Sequence, residues 1–254
     1  MVDKASEALL YAAERGCLQG VKAALKAGAD IDYAQPDNEV TGKGTALFIA
    51  SYFRHTDIMT LLIRKGASMT KRTTMFASAP LHGAVTYEGK TDALELLFRH
   101  GATLDIRDCY QRTPLMLACM FGYVDTVRKL IQLGARVDLK DTGPTTAQMY
   151  CEKAEEGGNC SRAQKETMVK LIQEARLRCC NPTCGKPGDR STLKLCGQCK
   201  LTRYCSRDCQ KQHWTVGHKK SCGHDGYSEP SPLKKLWTSG RIFDFMTYVV
   251  PETS

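Results

Sequence analysis

In the last third of the chain Cys180, Cys184, Cys196, Cys199, Cys205, Cys209, His218 and Cys222 read C-x3-C, C-x2-C, C-x3-C and H-x3-C. Each donor has a partner with two or three residues between them, the spacing at which two side chains grip one tetrahedral zinc. Four such pairs make two zinc sites with four protein ligands each. Neither keeps a position for water, so both are structural and not catalytic. A segment of about 45 residues buries too little apolar surface to fold unaided, and metal coordination supplies the missing free energy. Cys179 stands beside Cys180, and either can be the first ligand. Cys180 is preferred because the x3 spacing makes the more compact bite.

A disulfide framework would explain dense cysteines in a secreted protein. The first residues, MVDKASEALLYAAERG, hold no apolar stretch with a small-residue cleavage site, so nothing here directs the chain to an oxidising compartment. Cys17, Cys109, Cys119, Cys151 and Cys160 lie in helical patterns without ligand spacing and read as small buried residues.

The run KLCGQCKLTRYCSRDCQKQHWTVGHKKSC resembles a MYND zinc finger. Cysteine pairs and a tyrosine before the fifth ligand precede C-Q-x3-W and a closing H-x3-C, over residues 180–222. One departure is visible: the first pair is C-x3-C where C-x2-C is commoner in that family. The resemblance implies a cross-brace in which Cys180, Cys184, Cys205 and Cys209 hold one zinc, and Cys196, Cys199, His218 and Cys222 the other. It also implies that Gln210 and Trp214 line a groove for proline-rich peptides.

The elements before the finger repeat. Thr45-Ala46-Leu47-Phe48-Ile49-Ala50, Ala79-Pro80-Leu81-His82-Gly83-Ala84 and Thr113-Pro114-Leu115-Met116-Leu117-Ala118 recur, with a weaker copy from Thr146, at intervals of 34, 34 and 33 residues. A second amphipathic stretch follows each copy and ends in Gly66-Ala67, Gly101-Ala102 or Gly134-Ala135, and Gly28-Ala29 marks an earlier unit. The pattern resembles the ankyrin repeat from residue 5 to about 178. In each unit Thr is expected to cap a short helix, Pro to take its first turn, and Gly to end the second helix. One unit cannot hide its apolar face, and stacked units can. The end copies differ, the first lacking Thr-Pro and the fifth carrying the insertion EEGGNCSRAQ; DYAQPDNEVTGKG lengthens the link between copies one and two.

The ankyrin pattern implies a peptide-binding concave face, with Tyr52, Phe53, Thr86, Tyr87, Met120 and Phe121 at its inner helix positions and Phe76 and Tyr110 in the adjoining hairpins. Aromatic and Met side chains there would form an apolar stripe of the kind that carries binding energy.

The whole chain has 254 residues, 42% of them hydrophobic, and no apolar run of eighteen, so no membrane-spanning helix is expected. Residues 179–223 hold nine Lys or Arg against two Asp, a charge that seven thiolates on two divalent ions reduce by three. The mild basic patch left carries neither a base-reading helix nor interleaved stacking aromatics. No phosphate-cradling loop or activated nucleophile appears either.

The expected architecture is mostly α: an ankyrin-repeat solenoid of about five repeats (1–178), a small zinc-stabilised MYND domain (179–223) and a tail (224–254). No Gly, Ser or Pro linker separates KETMVKLIQEARL from the finger, so the finger is expected to be held against the final repeat. Pro230-Ser231-Pro232-Leu233 and the apolar residues after it can fold back over either groove. The function expected is a non-enzymatic adaptor of the cytoplasm or nucleus that binds other proteins, with two structural zincs; a zinc-dependent nucleic-acid-associated regulator is the alternative.

Overall fold

The computed structural model describes residues 4–34, 44–73, 76–86, 91–175, 177–188, 192–198, 202–219 and 222. Tyr87, Cys199 and the tail from 223 lie outside these residues.

Among the described residues five helix pairs build the first part: α1 (Lys4–Glu14) with α2 (Leu18–Lys26), α3 (Ala46–Tyr52) with α4 (Thr56–Arg64), and α5 (Pro80–Val85) with α6 (Asp92–Arg99). They are followed by α7 (Pro114–Met120) with α8 (Val124–Leu133), and α9 (Ala147–Glu156) with α10 (Arg162–Gln173). The first helices form one layer, in which α3 packs between α1 and α5 and α7 between α5 and α9. The second helices form another, with α4 against α2 and α6, and α8 against α10. Leu47, Leu81 and Leu115 occupy one position of the repeat and are fully buried, as are Leu62, Leu97 and Leu130 of the second layer. Each such leucine contributes about 1.5–3 kcal/mol by leaving water.

Thr45 and Thr113 cap their helices as expected, each accepting a 3.3 Å hydrogen bond from the third residue on, Phe48 N and Met116 N. The third unit has Ala79 at that place, and His82 takes over. Its Nδ1 accepts from Ala79 N–H at 3.0 Å, so Nε2 carries the proton and donates to Arg112 O at 3.3 Å in the next unit. The expected cap at Thr146 makes no side-chain bond; its carbonyl accepts from Tyr150 N and its strand-like pairing with Lys140 anchors the turn instead.

Hairpins between units are tied by charge-assisted bonds to backbone. Arg72 donates to the carbonyls of Ala77 and Arg107, and Arg107 donates to those of Gln111 and Lys140. Asp108, fully buried, accepts from Tyr110 N and Arg112 N and pairs with Arg112 Nε at 2.7 Å. Asp32 and Asp105 each accept a backbone N–H from the following unit, Ser68 at 2.8 Å and Arg136 at 2.9 Å.

The finger follows α10 directly. Its strands are β1 (Leu177–Arg178) antiparallel to β2 (Pro187–Gly188), and β3 (Lys194–Leu195) antiparallel to β4 (Arg203–Tyr204); helix α11 (Arg207–His213) runs into a π-type turn at Trp214–His218. The finger does not rest on the final repeat alone, as the missing linker suggested. It reaches back along the edge where the second helices end. Gly101, at φ +93° beyond α6, touches Gly217: a Cβ on Gly217 would lie 2.1 Å from His100 O, and one on Gly101 2.7 Å from Gly217 Cα. Only residues without side chains allow that approach of two backbones. Farther along, Arg178 packs on Gly134 beyond α8.

Burial holds the His82 ring neutral, pulling its pKa down from 6.5 to about 4. The unfolded chain therefore takes up a proton that the folded chain refuses, and this stabilisation, up to about 3 kcal/mol, is present above pH 6.5 and lost as pH falls towards 4. Burial pushes Asp105 up to about 6, which gives a slope of opposite sign, so the decisive quantity is a difference. Wild type is expected to exceed His82→Gln in unfolding free energy by about 1–3 kcal/mol at pH 7, with the gap closing towards pH 4 in denaturant titrations. A gap independent of pH contradicts this role.

Candidate metal centre and its surroundings

Two short hairpins and one helix bring the finger's thiols together because each hairpin turns the chain back at a cysteine. Cys179 N–H donates to Lys186 O at 2.9 Å, Cys196 N–H to Thr202 O at 2.8 Å, and Cys184 closes a turn onto Asn181 O at 3.0 Å. Ser206 caps α11, accepting from Cys209 N at 3.2 Å, and fixes that sulfur at the helix start.

One donor atom from each of Cys179, Cys184, Cys205 and Cys209 lies within 4.8 Å of all the others, and the same holds for Cys196, His218 and Cys222. Cys180, preferred from the sequence as the first ligand, does not join the group. Its neighbour Cys179 does. The two adjacent residues follow β1 directly and send their sulfurs to different places, Cys179 into the cluster and Cys180 onto Arg203. Cys180 instead accepts Arg203 N–H on its sulfur at 3.3 Å, while its own N–H donates to Arg203 O at 2.7 Å, which docks the residues just past β1 onto β4. The x4 pair Cys179 and Cys184, not the x3 pair, has its sulfurs in one group. The remaining expected donor, Cys199, lies outside the described residues.

The donor chemistry fits zinc. Sulfur separations are 3.7 Å for Cys184–Cys205, 3.5 Å for Cys205–Cys209 and 3.7 Å for Cys196–Cys222, and no described cysteine forms a disulfide. Zinc–sulfur bonds of about 2.3 Å give a tetrahedron with sulfur–sulfur edges of about 3.8 Å, far longer than an S–S bond. Burial pushes the Cys179 thiol up to about 12. It would push Cys209 up too, yet hydrogen bonds from Asn181 and Ser206 bring Cys209 down to about 7. Four thiolates at this separation require a cation among them.

Behind the second group, Tyr204 is buried with its hydroxyl 2.9 Å from His213 Nδ1, and the His213 and His218 rings stack 5.1 Å apart. Thr202 Oγ1, 3.3 Å from His218 Nε2, orients that ring. Gln210, expected to line a peptide groove, directs its amide at Cys196 Sγ, 3.7 Å away. Trp214 meets His218 edge-on at 5.9 Å and lines a cavity of about 640 Å³ between finger and repeats. The sequence drew attention to neither His213 nor the Gly101–Gly217 contact; the length of the helix between Cys209 and His218 was the available signal for His213.

In the solenoid, Tyr52 stacks with Phe48 at 6.5 Å and meets Phe53 edge-on at 5.1 Å. Phe76 and Tyr110 join neighbouring hairpins, their rings 6.3 Å apart, with the Arg112 guanidinium 4.6 Å from the Tyr110 ring centre. Phe121 stacks with Tyr123 at 5.8 Å, and Asn159 of the fifth-unit insertion donates to Met120 O at 3.1 Å. Phe53 is 37% exposed, and Tyr52, Phe76, Tyr110, Met120 and Phe121 are half-buried. The structure thus gathers these residues into three aromatic clusters and does not bury them.

Models of ankyrin repeats match residues 9–63 and 70–141, and the model of the MYND finger matches residues 177–222. It is an ankyrin-repeat protein with a MYND finger. This ankyrin–MYND chain is 31% identical over 134 residues to a putative ankyrin repeat protein, FPV031, of Fowlpox virus, a match covering 52% of this chain and 38% of that one. It is 34% identical over 119 residues to cyclin-dependent kinase 4 inhibitor B of Homo sapiens, covering 47% of this chain and 81% of the other. Over 38 residues it is 50% identical to ubiquitin carboxyl-terminal hydrolase 17 of Arabidopsis thaliana, covering 15% and 5%. The chain spans well under half the length of the first of these relatives. A MYND finger binds zinc, and both domain types are protein-interaction modules. Among the described residues no helix is long and apolar enough to cross a membrane.

If Cys179 is the ligand, Cys179→Ser binds about one metal equivalent fewer than wild type on cobalt titration, and Cys180→Ser keeps the wild-type number with weaker docking onto β4. The reverse pattern would restore Cys180 to the site.

Proposed function

We propose that the ankyrin–MYND chain is a non-enzymatic adaptor that holds two protein partners at once, one on the solenoid's inner layer and one on the finger. Two structural zincs shape the finger, one held by Cys179, Cys184, Cys205 and Cys209, the other by Cys196, Cys199, His218 and Cys222. When bound, each ion supplies charge neutralisation and a fixed tetrahedral geometry, with all four positions taken by protein. The cytoplasm or nucleus, where thiols stay reduced, suits such ligands.

The observation that carries this reading is the partly exposed run Tyr52, Phe53, Met120 and Phe121 at the inner helix positions. Large apolar side chains left in contact with water on a rigid scaffold gain free energy when a partner covers them. On the finger, the half-buried Trp214 offers an indole against which a polyproline segment stacks with little loss of chain entropy. The finger's contact with the stack sets both surfaces in one frame, so two modest affinities multiply.

Affinity capture assigns the surfaces. Phe53→Ala/Phe121→Ala is expected to lose one partner set and Trp214→Ala another, each with affinity reduced about 5- to 30-fold, the usual effect of removing a hot-spot side chain. Identical captures by wild type and both variants would show that neither surface is the operative one.

A further inference from the structure

The cavity beside Trp214 belongs to neither domain alone. Trp214, Val216 and Lys219 form one wall, and Ile63, Ala67 and Met69, at the end of α4 and just beyond it, form the other. Val216 is 42% exposed, and Met69 and Ile63 are half-buried. Among the described lining residues the ionisable groups are Lys219 and His100, so the cleft combines apolar side chains, the hydroxyls of Ser68, Thr70 and Thr215, and a cation at its rim.

A ligand matched to this cleft has an apolar, rigid centre and an acidic flank. The chain itself supplies one: Asp225-Gly-Tyr-Ser-Glu229-Pro230-Ser231-Pro232-Leu233, with two carboxylates leading into two prolines and a leucine. Cys222 N–H donates to His218 O at 2.7 Å, so the chain leaves the described residues beside the turn that carries Trp214 and His218. Trp214 lies 5.9 Å from the His218 ring, and a His218 donor atom lies within 4.8 Å of the Cys222 sulfur, so the indole is close to the point where the chain leaves the described residues. The seven residues from 223 to 229 can span about 23 Å when extended, enough to bring Pro230 back to the indole.

We propose that Asp225–Leu233 docks in the composite cleft, prolines against Trp214 and Met69 and carboxylates towards Lys219, and that an external peptide must displace it. The proposal rests on the reading of Trp214 as a peptide-binding residue and adds a competitor in cis. At an effective concentration of about 1 mM and a dissociation constant near 0.1 mM, such a tether weakens an outside peptide about tenfold.

The chain has two tryptophans, so Trp237→Phe leaves Trp214 as the sole indole in an otherwise full-length protein. In that background, acrylamide quenching of Trp214 is expected to rise roughly twofold on Pro230→Ser/Pro232→Ser, as a covered ring face opens to water. Added synthetic peptide of residues 224–234 should reverse the rise and bind the substituted chain about tenfold more tightly than the unsubstituted one. Met69→Asp, outside the finger's own fold, should abolish that binding. Equal quenching in the two chains overturns the proposal, and so does peptide binding that ignores Met69→Asp. If quenching is equal yet an unrelated proline-rich peptide still shields Trp214, the adaptor reading stands without the tether; if no peptide shields Trp214 in either chain, the finger half of that reading falls too.

Discussion

Cys179, Cys184, Cys205 and Cys209 present donor atoms within 4.8 Å of one another, an arrangement that four thiolates hold only around a cation. Hairpins of two residues per strand have no stability of their own. Metal coordination therefore fixes where β1, β3 and α11 lie, and with them the Tyr204–His213–His218 packing and the position of Trp214. Because the π-type turn at Trp214–His218 carries both a candidate ligand, His218, and the glycine that meets Gly101, metal binding and the seating of the finger on the solenoid are linked.

The solenoid depends on a different economy of contacts. Each unit buries its leucines only against its neighbours, and the hairpins are stitched by Arg72, Arg107, Asp32 and Asp105 to backbone groups of the next unit. Such nearest-neighbour stability leaves side chains on the inner layer only partly buried, Met120 and Phe121 packing against the core from its edge. Tyr52, Phe53, Met120 and Phe121 are then partly exposed there, the residues to which the adaptor reading assigns a partner. The finger meets the ends of α4, α6 and α8, which joins three units of an otherwise one-dimensional array.

Much of this was legible in the sequence because spacing encodes it. Recurrence at 33–34 residues located the helix pairs, and donor pairs separated by two or three residues located the finger. The choice between Cys179 and Cys180 was not legible from spacing, since it turns on where each sulfur lies just past β1. Gln210 was expected in a groove, and its amide faces Cys196, a contact across the fold that the local motif does not encode. The Gly101–Gly217 approach was hidden for the same reason: Gly101 serves as an ordinary helix terminator in the repeat, and its second use appears only when another backbone arrives. His82 shows the converse, a repeat position whose side chain replaces a missing Thr cap and links two units.

The central claim is that two metal ions close the finger and the solenoid does not need them. Native mass spectrometry combined with hydrogen exchange, before and after a strong zinc chelator, tests it most directly. The account predicts two zinc ions per chain, and after chelation fast exchange across 177–222 with the buried helices of 46–133 still protected. Fewer than two ions, or a finger whose amides stay protected without metal, would contradict it.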